Sequence, residues 1–136
     1  MKRLFLTLTI LCFPVVLHAQ TNPCDQPELT GNIVVTSDTF NFAVCATASD
    51  EIDGVNVYLD GVKTDEGLPT AGPENGAGKV PYAVSVTLPG RGNHSIEYST
   101  YTVTSDGTQQ EGPRGAPFVL ALEKGAPGKP TAHPVN

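Results

Sequence analysis

The chain of 136 residues contains no tryptophan, and only 7% of its residues are aromatic. Charge is also scarce, since Asp, Glu, Lys and Arg together make up 16% of the sequence. This charged fraction is too low, and the apolar fraction of 39% too high, for a disordered chain. Basic residues are so few that the net charge is −6, which argues against nucleic acid as a partner because phosphate binding needs a basic surface.

Residue types that carry out catalysis are few as well. After the first twenty residues the only histidines are His94 and His133, and His133 lies in a proline-rich stretch. The sequence has no G-x-S-x-G elbow, no phosphate-binding glycine loop and no H-E-x-x-H motif. His94 follows a glycine turn at the head of a predicted strand, where we expect it to cap the turn with a hydrogen bond. We therefore predict that the protein is not an enzyme and needs no cofactor and no metal ion.

One long apolar run occurs, and it lies at the start of the chain. The positive Met1-Lys2-Arg3 precedes a run of about fourteen mostly apolar residues, and the small residue Ala19 follows it. This order is typical of a secretory signal peptide, and the run is shorter than the roughly twenty residues that span a bilayer. We predict that residues 1–19 are a signal peptide, that the mature chain has no membrane span, and that the protein is periplasmic or extracellular. An uncleaved anchor is the alternative.

Loss of residues 1–19 leaves two of the three cysteines, Cys24 and Cys45, and a net charge of −8 from 14 acidic and six basic residues. An even pair in an oxidising compartment predicts a disulfide. Two free thiols are the alternative, and two cysteines without a nearby histidine do not fill a zinc shell. Cys45 has the opposite parity to Phe40 and Phe42 along a predicted strand. We therefore expect the bridge to lie off the core face and to fix the start of the mature chain.

The mature chain has no convincing 3.6-residue apolar period, so helices are not expected. Several stretches instead alternate with period two and are rich in Val, Thr, Tyr, Phe and Ile. The predicted strands cover residues 29–36, 39–47, 55–59, 62–64, 82–88, 94–104 and 117–122. About seven short strands predict an all-β fold, an antiparallel two-sheet sandwich over residues 20–124. Residues 125–136, rich in Pro and Gly, are predicted to be an extended linker or a frayed end.

Two stretches leave alternatives open. In the predicted strand at residues 94–104, Ile96 and Tyr98 share one parity, whereas Tyr101 and Val103 share the other. Either a β-bulge near residues 99–100 reconciles the two sets, or Tyr101 and Val103 lie on the outer face of a sheet. Residues 63–81 have little strand pattern and are long for a connection in a compact domain. They form either a mobile loop or a loop that makes contacts.

Part of this pattern resembles a known family. The segment Val55–Val62, which ends in the turn signal Asp-Gly, resembles the third-strand hairpin of secreted bacterial immunoglobulin-like and fibronectin type III-like domains. Tyr82–Leu88 with the turn after it is similar to their fifth strand, and Tyr98–Val103 to the end of their sixth. The resemblance covers residues 27–123 and carries no catalytic residues, so it implies the fold far more than a function. Antibody domains join the second and sixth strands by a disulfide, but here the sixth strand has no cysteine.

In that fold the loops after the second, fourth and sixth strands gather at one end. Two of these loops are mainly acidic, and they supply six candidate binding residues: Asp50, Glu51, Asp53, Asp106, Glu111 and Arg114. A protein or a glycan is the partner that such loops would bind. The alternatives are solvated turn residues and a calcium site, because Ca²⁺ takes several oxygen ligands. The spacing of the acids is not that of a known calcium loop.

These patterns together predict an exported single-domain binding or adhesion module that acts by non-covalent contact through loops or a sheet edge. The alternative is a structural or accessory subunit of a cell-envelope or fibre assembly that docks by strand addition. The two hypotheses differ in what the fold must expose. An exposed, apolar edge strand would favour strand addition, whereas an exposed loop tip would favour binding through the loops.

Overall fold

The computed structural model describes residues 20–64, 69–123 and 129–135. The predicted signal peptide, residues 1–19, lies outside the described residues. Within them the chain is all-β apart from one 3-10 turn at Pro23–Asp25. The strands are β1 (Gly31–Val35), β2 (Thr39–Thr47), β3 (Gly54–Leu59), β4 (Val62–Lys63), β5 (Thr70–Ala71), β6 (Lys79–Thr87), β7 (Gly92–Val103), β8 (Gln109–Glu111) and β9 (Phe118–Leu122).

The strands form two sheets, as the sequence predicts. The larger sheet has the order β1-β9-β7-β3-β4, with β8 also paired to β7, and the smaller has the order β2-β6-β5. All strand pairs are antiparallel except β1 with β9, which is parallel. Sequence analysis did not predict the parallel pair, because a two-residue alternation of apolar side chains is the same for either strand direction.

Every predicted strand is present, with ends shifted by a few residues. The structure adds β5 and β8, which have two and three residues and expose all of them. Strand β5 falls within residues 63–81, so that stretch is not one irregular loop. The same stretch also contacts the 3-10 turn at Pro23–Asp25, since the Asn75 side-chain amide donates to the Asp25 carboxylate over 2.8 Å.

The core lies between the two sheets. It is built from alternating positions of β2, β3, β6, β7 and β9, and its most deeply buried large side chains are Phe118, Ile96, Leu120 and Val86. The ring of Phe118 meets the ring of Phe42 edge to face, with centroids 5.4 Å apart. Phe42 itself is only half-buried. The core therefore reaches the surface along β2.

The register of β3 with β7 is continuous from the pair Gly54–Tyr101 to the pair Leu59–Ile96. A bulge would interrupt this register, so the first of the two alternatives for β7 is wrong. Tyr101 and Val103 have the parity opposite to Ile96 and lie on the outer face of the larger sheet. There the ring of Tyr101 covers Gly54, its cross-strand partner.

The predicted disulfide is present, with a distance of 2.09 Å between the Cys24 and Cys45 sulfur atoms. Cys45 is exposed and lies on the side of β2 opposite to the core residue Val44. The bridge therefore lies off the core face, as expected, and joins the 3-10 turn at Pro23–Asp25 to β2.

Candidate functional site

His94 occupies the position that the sequence predicts for it, as a cap on the turn before β7. Its Nε2 is 2.7 Å from the Gly90 carbonyl oxygen, and its Nδ1 is 2.7 Å from the Asp60 carboxylate. The hydrogen bond to Asp60, and after it the one to Gly90, raises the pKa of His94. Because both ring nitrogens have partners, His94 serves the fold and is not free to act as a catalytic base.

Three of the six candidate loop residues, Asp53, Asp106 and Glu111, use their carboxylates within the fold, and the first two do so in turns. Asp53 accepts a hydrogen bond from the Val103 N–H over 2.6 Å, which ties the loop after β2 to the end of β7. Asp106 accepts from the Thr104 hydroxyl and, over 2.9 Å, from the Thr108 N–H. The Thr104 bond above all lowers the pKa of Asp106 to about 2. Both carboxylates therefore shape the turns that carry them.

The structure does not bring all six residues to one place. Asp50 and Glu51 are exposed in the loop after β2, whereas Glu111 and Arg114 lie over the outer face of the larger sheet. In the ranges that the structure describes, no three His, Cys, Asp or Glu side chains lie close enough together to hold a metal ion. Calcium binding thus gains no geometric support there, and the role of the six residues in binding stays a prediction.

Glu111 and Arg114 instead belong to a hydrogen-bonded network on that outer face. The Glu111 carboxylate accepts from the Tyr58 hydroxyl at 2.8 Å and from the Ser99 hydroxyl at 2.6 Å. These two bonds, that of Ser99 first, lower the pKa of Glu111. The Arg114 guanidinium stacks 3.8 Å from the centre of the Tyr58 ring and donates to Glu97 over 2.7 Å. The network fastens residues 109–115 to the sheet, and no pattern in the sequence predicts it.

The outer edge of β2 is the longest strand edge that no other described strand pairs with. Strand β2 pairs with β6 along its whole length, from Thr39–Thr87 to Thr47–Lys79, and no other described strand joins it. The Asp38 carbonyl accepts from Leu88 N–H and the Ala48 N–H donates to Gly78, so even-numbered residues direct their backbone groups to β6. Because the direction alternates along a strand, the odd-numbered residues direct theirs outward: Thr39, Asn41, Ala43, Cys45 and Thr47.

Nothing in the sequence of β2 protects this edge. Proteins discourage pairing at an edge with charged residues, proline, bulges or very short strands. The nine residues of β2 include no charged residue and no proline. At the other edges of the two sheets, β4 and β5 have two residues each and β1 has five, against nine in β2. Strand β2 therefore presents an unpaired and uncharged edge, on which Thr39, Asn41 and Cys45 are exposed and Ala43 and Thr47 are half-buried.

An apolar groove of about 420 Å³ runs beside β2. Residues 23–29 line it on one side and residues 40–45 of β2 on the other. Four aromatic side chains lie along it: Phe40, Phe42, Tyr98 and Phe118. Burial and the nearby Glu28 carboxylate raise the pKa of Tyr98. The volume is within the range of about 300–1,000 Å³ of ligand pockets, and such pockets are mostly apolar with a few polar groups.

The sequence places Phe40 and Phe42 on the core face of a predicted strand and does not predict the groove. The available signal was the absence of charge in β2, together with residues 20–28, which have no strand pattern that could pair with it. In the part of the chain that the structure describes, no helix is long and apolar enough to cross a membrane. The chain matches no protein-family model, no curated protein and no solved structure.

Proposed function

We propose that this domain is a non-covalent binding module that takes an extended segment of a partner protein along the outer edge of β2. The observation that carries the proposal is a nine-residue edge without charge or proline, beside an aromatic groove. In strand addition, the main-chain hydrogen bonds supply affinity and pockets for alternate side chains supply specificity. The outward backbone groups of β2 suit the first role, and the groove suits the second.

The energetics favour a partner with apolar side chains at alternate positions. A hydrogen bond that replaces water contributes only about 0.5–1.5 kcal/mol, whereas burying one large apolar side chain contributes about 1.5–3 kcal/mol. Ordering the bound segment costs about 0.5–1.5 kcal/mol for each flexible side chain that is immobilised. Side chains that enter the groove beside Phe40 and Phe42 therefore supply most of the net affinity, and the edge sets the register.

The domain is further proposed to be an exported immunoglobulin-like or fibronectin type III-like module. Two packed sheets and the hairpin at residues 55–62 support that class, and the Cys24–Cys45 bridge supports an oxidising compartment. A structural or accessory subunit of an envelope or fibre assembly would use the same edge of β2. It would differ from a module that binds through its edge in the identity of the partner, and from a module that binds through its loops in the contact.

The substitution Ala43→Pro tests the edge. It removes an outward N–H in the middle of β2 and leaves the ladder with β6 intact, since proline is tolerated at strand edges. The matched control is Ala71→Pro in β5, whose N–H points away from β6 at the opposite edge of the same sheet. Both variants should keep the thermal unfolding and circular dichroism of the unmodified chain.

Each immobilised chain is then incubated with envelope extract, and the retained proteins are quantified by mass spectrometry. We expect the unmodified chain and A71P to retain the same amount of the same partner. The amount that A43P retains should be lower by at least about tenfold, which is equivalent to about 1.4 kcal/mol of binding free energy. Equal retention by A43P and A71P would show that β2 is not the docking edge. Loss of the partner in the double variant D50N/E51Q, with A43P unaffected, would assign binding to the acidic loop instead.

A further inference from the structure

We infer that the segment that β2 receives is the C-terminal stretch of a second copy of this chain, residues 129–135, so that copies join head to tail. This inference rests on the function proposed for the β2 edge and names its occupant. Residues 129–135 are all exposed, and the structure assigns them no strand. The stretch is therefore available to another molecule, and its sequence carries three features that fit the edge and the groove.

The first feature is an alternation of apolar and polar residues. The stretch reads Lys-Pro-Thr-Ala-His-Pro-Val, with Pro130, Ala132 and Pro134 at even positions. The polar residues of the stretch, Lys129, Thr131 and His133, are at odd positions. In a strand, successive side chains point to opposite faces. One face of the stretch is therefore wholly apolar, which is the face that a groove between two sheets would take.

The second feature is the parity of the two prolines. A strand directs the backbone groups of alternate residues to the same neighbour, and a proline has no N–H to give. Pro130 and Pro134 are four residues apart and share a parity, so one strand edge keeps every N–H. That edge can pair with β2 through Thr131 and His133. The opposite edge carries both prolines, which would block the addition of any further strand.

The alternation and the parity of the prolines both require that the stretch docks antiparallel to β2. In an antiparallel pair, two residues that exchange hydrogen bonds have their side chains on the same face. The outward residues of β2, among them Asn41 and Ala43, have their side chains on the face away from the core. Antiparallel docking thus puts the polar residues of the stretch on that outer face and turns Pro130, Ala132 and Pro134 toward the groove. Parallel docking would reverse the faces.

The reach of the chain favours a second copy over the same molecule. The end of β9 lies beside the end of β1, since Glu123 N–H donates to the Val35 carbonyl over 2.9 Å, and β2 starts only four residues after Val35. Full-length antiparallel docking on the chain's own β2 would place Lys129 near the far end of that strand, about 20 Å along it and across a gap between sheets of about 10 Å, together about 22 Å. Six residues reach at most about 22 Å when fully extended, so only a taut connection would place the stretch on its own strand.

The third feature is charge. Residues 20–123 carry 14 acidic and four basic side chains, a net charge of −10. Residues 124–136 carry two lysines and no acidic residue. Glu28 and Lys79 line the groove, and Asp25 lies beside it, so the groove itself is close to neutral and the acidic charge comes from the rest of the domain. A basic stretch is thus attracted to the domain of another copy, and this attraction falls with added salt.

The test uses matched proline substitutions in the exposed stretch, where they do not disturb the sandwich. Thr131→Pro removes an N–H from the edge that faces β2, and Ala132→Pro adds a proline to the edge that faces away. Sedimentation velocity over a range of chain concentrations measures self-association. We expect the unmodified chain and A132P to associate with rising concentration, and T131P to raise the dissociation constant at least about tenfold. A43P should weaken association likewise, and A71P should not.

An unmodified chain that stays monomeric at all concentrations, or a T131P variant that associates as tightly as A132P, would overturn the inference. Hydrogen exchange tests the remaining possibility, that residues 129–135 dock on β2 of their own chain. In that case the Ala43 N–H would be protected in a monomer, and the T131P substitution would remove this protection. Retention of an extract partner that depends on Ala43, without self-association, would refute the second copy as occupant and leave the proposed function standing. If A43P both retains the extract partner and self-associates like the unmodified chain, the proposed function and this inference are both refuted.

Discussion

Single residues in this domain join turns to strands through charged hydrogen bonds. Asp60 shows this most clearly, since one carboxylate oxygen meets His94 and the other accepts the Ser95 N–H over 2.8 Å. The bond to His94 and then the bond to Ser95 lower the pKa of Asp60, and its bond raises the pKa of His94. Such shifts make stability depend on pH, because the folded chain binds protons differently from the unfolded one.

The pair predicts a pH dependence with a definite sign. A raised pKa in the folded state means that His94 stabilises fully below its unfolded pKa of about 6.5, and that this stability is lost as the pH rises through the folded value. We expect H94Q to lower the free energy of unfolding by about 1–2 kcal/mol at pH 5.5 and by less at pH 9. Urea unfolding at both pH values measures this difference.

The control is H133Q, because His133 is exposed in the C-terminal stretch and its nearest polar contact is Thr131, two residues away. This variant should match the unmodified chain at both pH values. An equal loss of stability for H94Q at pH 5.5 and pH 9 would mean that the charged form of His94 adds nothing, which contradicts the raised pKa.

At the scale of elements, strands are held in register by cross-strand pairs on the outer face as well as by the core. Gly54 and Tyr101 are opposite each other in β3 and β7, and the ring of Tyr101 lies where a Cβ on Gly54 would be. An aromatic ring that covers a glycine across a strand pair makes up for the missing side chain. The glycine is needed here for space.

The contact between Gly54 and Tyr101 predicts that an alanine at Gly54 destabilises the domain, whereas an alanine at the uncrowded Gly90 does not. Gly54→Ala forces the Tyr101 ring off the strand, and overpacking of this kind costs about 1–3 kcal/mol. Gly90→Ala is the control, because an added Cβ there meets nothing within 4 Å. It should be neutral or stabilise slightly by restricting the unfolded chain. Thermal unfolding of both variants measures the difference, and equal unfolding temperatures would show that the Tyr101 ring moves aside at no cost.

At the scale of the whole molecule, the sandwich has a modest core and one covalent closure. Among the described residues its largest fully buried side chain is Phe118, and Phe40 and Phe42 remain half-buried beside the groove. Small domains bury a limited fraction of their surface, so a cross-link that restricts the unfolded chain matters more to them. The Cys24–Cys45 bridge spans 21 residues and also holds one wall of the groove against β2.

Removal of this bridge should therefore lower global stability. We expect the double variant C24A/C45A to lose about 3 kcal/mol of the free energy of unfolding, on the chain-entropy account of a loop of this length. Urea unfolding of the variant beside the oxidised chain measures the loss. Free Cys24 and Cys45 thiols in the purified protein, or an unfolding curve unchanged by the double substitution, would contradict the stabilising role of the bridge.

Much of the fold was predictable because the alternation of apolar and polar residues within one strand shows which of its faces is buried. The alternation of Phe40, Phe42 and Val44 identifies the buried face of β2 without reference to any other strand. Strands β5 and β8 were not predictable, since two or three exposed residues become a strand only when a neighbour offers its edge. The six loop residues were predicted as a group, but β8 folds onto β7 and takes Glu111 to the outer face, away from Asp50.

The sequence by itself determined that this chain forms short strands, which face of each strand is buried, and that Cys24 pairs with Cys45. These follow from local alternation and from cysteine count, which depend on no distant contact. Only the tertiary structure decided that β1 pairs in parallel with β9, and that β2 has an outer edge that no described strand occupies. The physical reason is that backbone hydrogen-bonding groups are the same in every residue but proline, so the path of the whole chain sets which of them remain open.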